Sequence, residues 1–364
     1  MKTLALTGGG SAGHVVPNLA LLPALRERFR LAYIGTGGIE RELLKNTGVP
    51  FYTIRAAKLV RGSMLKNIAL PLHFLRSVRE AKRALQRAGA DALFSKGGYV
   101  ALPAVIAARL LRLPVLTHES DLTPGLANRI IARLCPAVLT SFPETAKALK
   151  RGKFTGPPVR QELFGGDRAA ARAKYGFAGD APVLLAFGGG SGSAALNAAL
   201  EGALPQLLPA LRILHICGKG RGAAPREGYL PLSYEKDMAA AYACADFVLA
   251  RAGSNTIFEV LALKKPALFV PLENRRSRGD QVQNALYFEE RGLCRVLRER
   301  DLSPASLARA IDALQRDTAL RRRVAQNSVK CGNDAIVAAI CELFRNERGE
   351  ESGAGRRPKA ERRG

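Results

Sequence analysis

Two apolar runs of strand length, 2–7 and 183–187, each lead at once into a glycine-rich loop and then into a helix-like run. The first loop is Gly8-Gly9-Gly10-Ser11-Ala12-Gly13-His14, followed by a helical pattern over 17–28; the second is Gly188-Gly189-Gly190-Ser191-Gly192-Ser193, followed by a helix from Ala194. Strand, glycine turn and helix open a doubly wound parallel sheet, whose ligands bind beyond the carboxyl ends of the strands. Two such openings 180 residues apart predict an α/β chain of two Rossmann-like doubly wound halves facing a cleft. At 364 residues and 47% hydrophobic content there is apolar material for a core in each. Gly156-Pro157-Pro158-Val159-Arg160 reads as the linker between them.

The first loop matches G-x-G-x-x-G through Gly8, Gly10 and Gly13. A dinucleotide site also needs an acid at the end of the second strand. Here 31–34 runs into Gly35-Thr36-Gly37-Gly38, with no acid before Glu40, so NAD is disfavoured and the loop is left for another phosphate. Further strands are expected at 91–94, 115–117, 138–141 (the last of the first half) and 213–217. The stretch 301–347 reads as helical, with Ser303-Pro304 as N-cap and N1. Beyond it, 347–364 has no apolar residue larger than alanine and is expected to be disordered. Its six basic and four acidic residues place the basic character in the folded body.

A formal charge of +25 calls for a polyanionic neighbour or a solvated charged surface. With 6% aromatics, no Trp and no helix-turn-helix, zinc-finger or RNP-like pattern, specific nucleic-acid binding is not indicated. The six cysteines form no C-x-x-C, which argues for a reducing compartment and against zinc. The start has no signal-peptide core, and the longest apolar stretch, 101–116, is broken by Arg109 and Arg112, so no membrane span is expected. Over 55–87 the balance is nine basic residues to one acid, with apolar residues interleaved. Arg61, Lys66, Phe74, Leu75, Arg76, Arg79 and Lys82 make a candidate patch for an anionic membrane surface; the plainer alternative is an amphipathic helix pair with its apolar side in the core.

Chemistry concentrates in 245–285. A strand at 246–250 breaks at Gly253-Ser254-Asn255 and leads to a helix over 256–263 and a second strand at 266–271. Gly253 allows close backbone approach, and Ser254 or Asn255 is a candidate N-cap for a helix whose free N–H groups attract anions. Glu259, a turn further on, suits the two hydroxyls of a ribose. Gln281 and Asn284 lie three apart on a helical face and suit sugar hydroxyls and an acetamido group. Phosphate, ribose and sugar on one surface suggest a nucleotide-sugar site; the plainer alternative is an ordinary βαβ unit with solvated polar residues. Among the four histidines, His14 is the candidate general base, or donor to a phosphate, at the end of the first loop. His118-Glu119, at a strand end, is a candidate coupled pair or a structural one, and His73 and His215 have no role assigned. There is no D-x-D, so a metal-bound nucleotide is not indicated.

GGGSAGHVVPNLA, FSKGGYVALPAV, HESDLTPGLANR, GPPVR, GGGSGSAALN, DMAAAYACADFVLARAGSNTIFEV and PALFVPL…RGDQVQNA stand in the order found in the MurG family of glycosyltransferases, which the chain resembles from about residue 1 to 343. Members of that family move N-acetylglucosamine from UDP-GlcNAc to the C4 hydroxyl of lipid I, with inversion, to make lipid II for peptidoglycan. The resemblance implies GT-B architecture: residues 1–158 for the lipid I acceptor and membrane association, and 159–346 for UDP-GlcNAc, with a last helix near 334–346 packing back on the first domain. It implies that Glu259 binds ribose, that Gln281 and Asn284 bind the GlcNAc hydroxyls, and that Ser191, Gly192, Gly253 and Ser254 lie near the donor diphosphate. Arg160 would approach the donor from the linker, and 234–238 would run past the uracil. Gly8, Gly9, Gly10, Ser11, Ala12, Gly13 and Asn128 would face the acceptor, with His14 or Glu119 as base. No cofactor and no metal are implied. The implied partners are UDP-GlcNAc, lipid I, the cytoplasmic face of the bacterial membrane as a peripheral anchor, and cell-wall or division proteins. Gly190 stands where the family more often has a hydroxyl, Ser120-Asp121 where many members have Gln-Asn, and Pro157 where they have Asn. Rivals are another UDP-GlcNAc enzyme of the same architecture, a 2-epimerase or a natural-product glycosyltransferase, and, on charge alone, a nonspecific nucleic-acid binder.

Overall fold

A computed structural model of the chain describes residues 1–56, 70–189, 192–218, 220, 222, 224–273, 278–329 and 331–353, the last eight by backbone alone. Each half is built on one parallel sheet. The first has seven strands: β1 (Thr3–Thr7), β2 (Arg30–Gly35), β3 (Phe51–Thr53), β4 (Ala92–Ser95), β5 (Val115–Glu119), β6 (Val138–Thr140) and β7 (Gly152–Phe154), in the order β3-β2-β1-β4-β5-β6-β7. The second has six: β8 (Val183–Phe187), β9 (Arg212–Ile216), β10 (Tyr229–Leu232), β11 (Phe247–Ala250), β12 (Ala267–Phe269) and β13 (Arg295–Val296), in the order β10-β9-β8-β11-β12-β13. Each order reverses once, between β1 and β4 and between β8 and β11, and ligand crevices open at such reversals. The loops leaving those four strands are the two glycine loops, Lys96-Gly97-Gly98 and Arg251-Ala252-Gly253. The central strands β1, β8 and β11 are buried along their whole length, as parallel strands covered on both faces must be.

Three expectations change. β6 is not the last strand of the first half, because the short β7 adds to its edge through Val138–Gly152 pairing. The stretch after residue 301 is three helices, α12 (Pro304–Arg316), α13 (Thr318–Gln326) and α14 (Asn333–Gly353). Asp317 ends the first and caps the second, and at Gly332 the chain is back against the first half. Finally, α14 runs past residue 347, where disorder was expected, as far as Gly353; Glu and Arg favour helix there despite the lack of apolar residues.

Ile336, Val337, Ile340 and Phe344 of α14 are buried among Leu4, Leu6 and Leu21 of the first half, and Phe344 stacks on Phe29 at 4.7 Å. The two chain crossings are tied together. Gly332 N donates to Pro157 O (2.7 Å), and Asn333 both accepts from Val159 N (3.0 Å) and donates to its carbonyl (2.8 Å).

Candidate active site

On the first side of the cleft, helix α1 (Ala12–Arg26) starts from the first glycine loop. Its N-cap, Ser11, makes no side-chain cap; His14 N turns back to Ser11 O (3.2 Å), and no side chain covers the helix start. Buried Glu40 braces the loop from below, accepting from Gly10 N (2.9 Å) and Thr36 Oγ1 (3.1 Å). The loop after β4 lies against it. Gly98 has φ 83°, and a Cβ there would sit 2.7 Å from Gly9 O and 2.9 Å from the His14 ring. Only glycine allows that approach.

His14 is half-buried, with Nδ1 3.1 Å from Lys96 O. A carbonyl only accepts, so Nδ1 carries the proton and Nε2 is the basic nitrogen. Burial lowers the His14 pKa; Lys96 and Arg278 push the same way, while Asp121 and the Lys96 carbonyl oppose. The ring is therefore neutral at neutral pH. Glu119 is buried and held. Oε1 accepts from Asp121 N (2.9 Å) and Oε2 from Asn128 Nδ2 (2.6 Å), while Asn128 Oδ1 accepts from Gly98 N (2.9 Å). Burial first, then the Asp121 charge, raise the Glu119 pKa to about 7. Asn128 thus joins Glu119 to the glycine turn after β4.

The coupled His118–Glu119 pair does not exist, because successive strand residues face opposite sides. His118 is buried between the Lys96 ammonium at Nδ1 and Gly156 O at Nε2 (3.1 Å). Lys96 itself was missed from the sequence. It is 1% exposed, and its Nζ also donates to Ser120 Oγ (2.8 Å). Burial pushes its pKa down to about 7, against the raising effect of Glu119 and Asp121. The available signal was a lone lysine beside two glycines at a strand end.

On the second side, α10 (Ser254–Ala262) starts after β11. Neither Ser254 nor Asn255 caps it: Gly253 is the N-cap, no side chain bonds the first turn, and Asn255 Nδ2 reaches across to Gly13 O (2.8 Å). A Cβ on Gly253 would meet only Thr256 Oγ1, at 3.9 Å, so nothing in the protein itself demands glycine there. The N-termini of α1 and α10 therefore meet across the cleft, both uncapped. Two positive helix ends brought together favour an anion between them. One turn into α10, buried Glu259 accepts both arms of Arg160, Nε at 2.9 Å and Nη2 at 3.1 Å. The solvated-Glu alternative does not hold.

Other candidates lie elsewhere. Ser191, Arg61 and Lys66 are outside the described residues. Gly192 packs against the end of β9, where a Cβ would meet Cys217 O at 2.3 Å. The helix it precedes, α8 (Ala194–Leu207), is already capped by Ser193. Tyr234 is exposed, while Glu235 accepts from Tyr175 OH (3.0 Å) and Asp237 caps α9 (Met238–Cys244). On α11 (Asp280–Glu289), Gln281 Oε1 accepts from Leu272 N (3.0 Å), which leaves its NH₂ to donate. Asn284 is fully buried and crosses to the first half, accepting from Leu122 N (2.9 Å) and donating to Asp121 Oδ1 (3.1 Å). Asp121 also takes Arg278 Nη2 (3.0 Å). The sequence marked it only as a departure from the family pattern; here it links the two halves, and its charge acts on His14. Among the described residues no His, Cys, Asp or Glu cluster is arranged to hold a metal.

Two Rossmann-like parallel sheets with reversal points turned to a common cleft define the GT-B class of glycosyltransferases. The chain belongs to glycosyltransferase family 28, whose N-terminal domain matches residues 4–140 and whose C-terminal domain matches 183–337. A Lachnospira eligens protein named UDP-N-acetylglucosamine--N-acetylmuramyl-(pentapeptide) pyrophosphoryl-undecaprenol N-acetylglucosamine transferase is 43% identical over 354 residues, 95% of this chain and 99% of that protein. The crystal structure of Acinetobacter baumannii MurG aligns with TM-score 0.72 and 27% identity, over 94% of this chain and 100% of that one. A kitacinnamycin glycosyltransferase aligns at TM-score 0.69 over 95% of this chain and 98% of that one; at 17% identity it shares the fold alone.

Proposed function

We propose that this chain transfers N-acetylglucosamine from UDP-GlcNAc to the C4 hydroxyl of the muramyl residue of lipid I, forming lipid II with inversion and without a metal. The observation that carries the reading is the meeting of two uncapped helix N-termini at the Asn255–Gly13 contact, with His14 the next residue. His14 Nε2 takes the proton of the acceptor hydroxyl, whose oxygen attacks the anomeric carbon as UDP departs on the opposite face. The α10 N-terminus stabilises the charge that develops on the diphosphate. Glu259, oriented by Arg160, keeps a lone pair on each oxygen for a ribose hydroxyl. Gln281 offers its NH₂ to the sugar, and Asn284 reaches it only when its crossing to Asp121 is released. His14 suits the base better than Glu119, both of whose oxygens already hold neighbouring donors.

The acceptor is lipid-borne, and α3 (Leu70–Arg87) suits a peripheral anchor on the cytoplasmic face of the membrane. It exposes Leu72 (65%) and Leu75 (55%) beside the exposed Arg76, Arg79 and Lys82, while Val78, Ala81 and Leu85 enter the core. Phe74 of the expected patch is partly buried against that core. No helix among the described residues is long and apolar enough to cross a membrane. The test is transfer of labelled GlcNAc from UDP-GlcNAc to a lipid I analogue. Release of free sugar or of a 2-epimer, with no disaccharide formed, would instead support the rival enzymes of the same architecture.

A further inference from the structure

We propose that the groove between residues 123–129 and the start of α11 receives the peptide arm of the acceptor, with Arg129 binding a peptide carboxylate; this rests on the function proposed above. The groove has a volume of about 500 Å³, and its lining includes Thr123, Gly125, Leu126 and Arg129 of the first half with Arg278 and Gln283 of the second. Its walls meet through the Thr123 Oγ1–Gln283 Oε1 hydrogen bond (2.6 Å), and the lining residue Arg278 pairs with Asp121 of the first half (3.0 Å). Asp121 is also the carboxylate whose charge acts on His14. A muramyl residue with its C4 hydroxyl at His14 carries its lactyl peptide on the adjacent carbon, C3. A path past Asp121 takes that peptide to Arg278, which pairs with Asp121 and lines the groove.

The lining suits such a peptide. Arg129 Nε donates to Pro124 O (3.1 Å), which fixes the guanidinium and leaves its Nη groups to a ligand. No carboxylate pairs with Arg129 among the described residues, whereas Arg278 is shared between Asp121 and Asp280. The positive charge open to a ligand is thus that of Arg129. Gln283, whose oxygen accepts from Thr123, turns its NH₂ to peptide carbonyls, and Leu126, 62% exposed, offers an apolar surface to small side chains.

The experiment measures transfer to three lipid-linked muramyl acceptors, bearing the free-acid pentapeptide, the same peptide with its carboxylates amidated, and no peptide. Wild type is compared with Arg129→Gln, Arg129→Glu and Arg129→Lys. For the free-acid acceptor, Arg129→Gln should raise KM about fivefold with kcat little changed, as for the loss of one exposed charge pair. Arg129→Glu should raise it further, and Arg129→Lys should recover part of the loss. KM for the amidated and peptide-free acceptors should not move, nor should UDP affinity. An equal effect on all three acceptors, or none on the free-acid one, overturns the groove assignment while the transferase reading stands. No transfer by wild type to any acceptor overturns the transferase reading and this inference with it.

Discussion

The two halves turn their strand ends to one cleft but furnish them differently. The first buries titratable groups there, with Lys96, His118 and Glu119 behind the glycine turns and the pKa values of Lys96 and Glu119 both drawn to about 7. The second pairs its buried charges with one another, Arg160 with Glu259 in a bidentate contact and Arg251 with Glu299. It also caps five helices with side chains, Asp167 on α7 (Arg168–Lys174), Ser193 on α8, Asp237 on α9, Ser303 on α12 and Asp317 on α13. It leaves α10 and α11 uncapped, the two that carry Glu259, Gln281 and Asn284. A side-chain cap competes with a ligand for the same N–H groups, so in the second half the helices left open to an anion are those that carry the donor candidates. Under the proposed function the contrast is a division of labour, in which the first half moves a proton and the second holds the donor.

The sharpest way to break that division is His14→Ala. It should lower kcat by about 10²–10⁴ and abolish the acidic limb of the pH–rate profile, which burial of the ring places below the usual histidine range, with UDP affinity unchanged. A variant that keeps most of its kcat at saturating acceptor would move the base to Glu119. The next effect concerns the outer face of the first half. Reversing Arg76, Arg79 and Lys82 to Glu should weaken binding to anionic vesicles at low salt by about a hundredfold, at roughly 1 kcal/mol per basic residue, and leave UDP binding intact. Equal co-sedimentation of variant and wild type would reduce α3 to an amphipathic scaffold helix.

On the second half, Glu259→Ala removes two charge-assisted ribose contacts and leaves Arg160 unpaired. UDP affinity by calorimetry should fall by about ten- to a hundredfold with kcat retained at saturating donor. A fall in kcat with affinity intact would erase the contrast between the halves.

The last effect is on stability. The Lys96 amine releases its proton near pH 7 in the fold, against 10.5 as the ordinary value. Below about pH 7 it is charged in both states, and its burial cost is felt in full. Between 7 and 10.5 the unfolded chain holds a proton that the folded chain has lost, so this group makes stability rise with pH. Lys96→Met should remove that rise, and the gap in urea midpoint between wild type and variant should change steadily across the window. A gap independent of pH would mean that the amine keeps its ordinary pKa.

Much of the layout was legible because it is local. The glycine loops, the strand runs of β1, β8 and β11, and the placement of Glu259 one turn into a helix all follow from residues a few positions apart. His14 at a loop end and Ser303-Pro304 at a helix start are of the same kind, and the latter forms a full capping box with Ser306. What was not legible has another origin. Ser254 and Asn255 are good caps by type, yet Asn255 serves Gly13, 242 residues away. Asn284 is a good sugar ligand by type, yet it holds Asp121 and Leu122 of the other half. Lys96 draws no attention in the sequence until His118 and Ser120 are seen to enclose it.

By itself, then, the sequence determined two doubly wound halves, their glycine turns and the residue types offered to a nucleotide sugar, because glycine conformations and side-chain periodicity act over a few residues. The tertiary structure decided which of those residues are free to act. Partnership, burial and pKa depend on groups brought together from 20 to more than 200 positions apart, and only the apposition of the two sheets sets those distances.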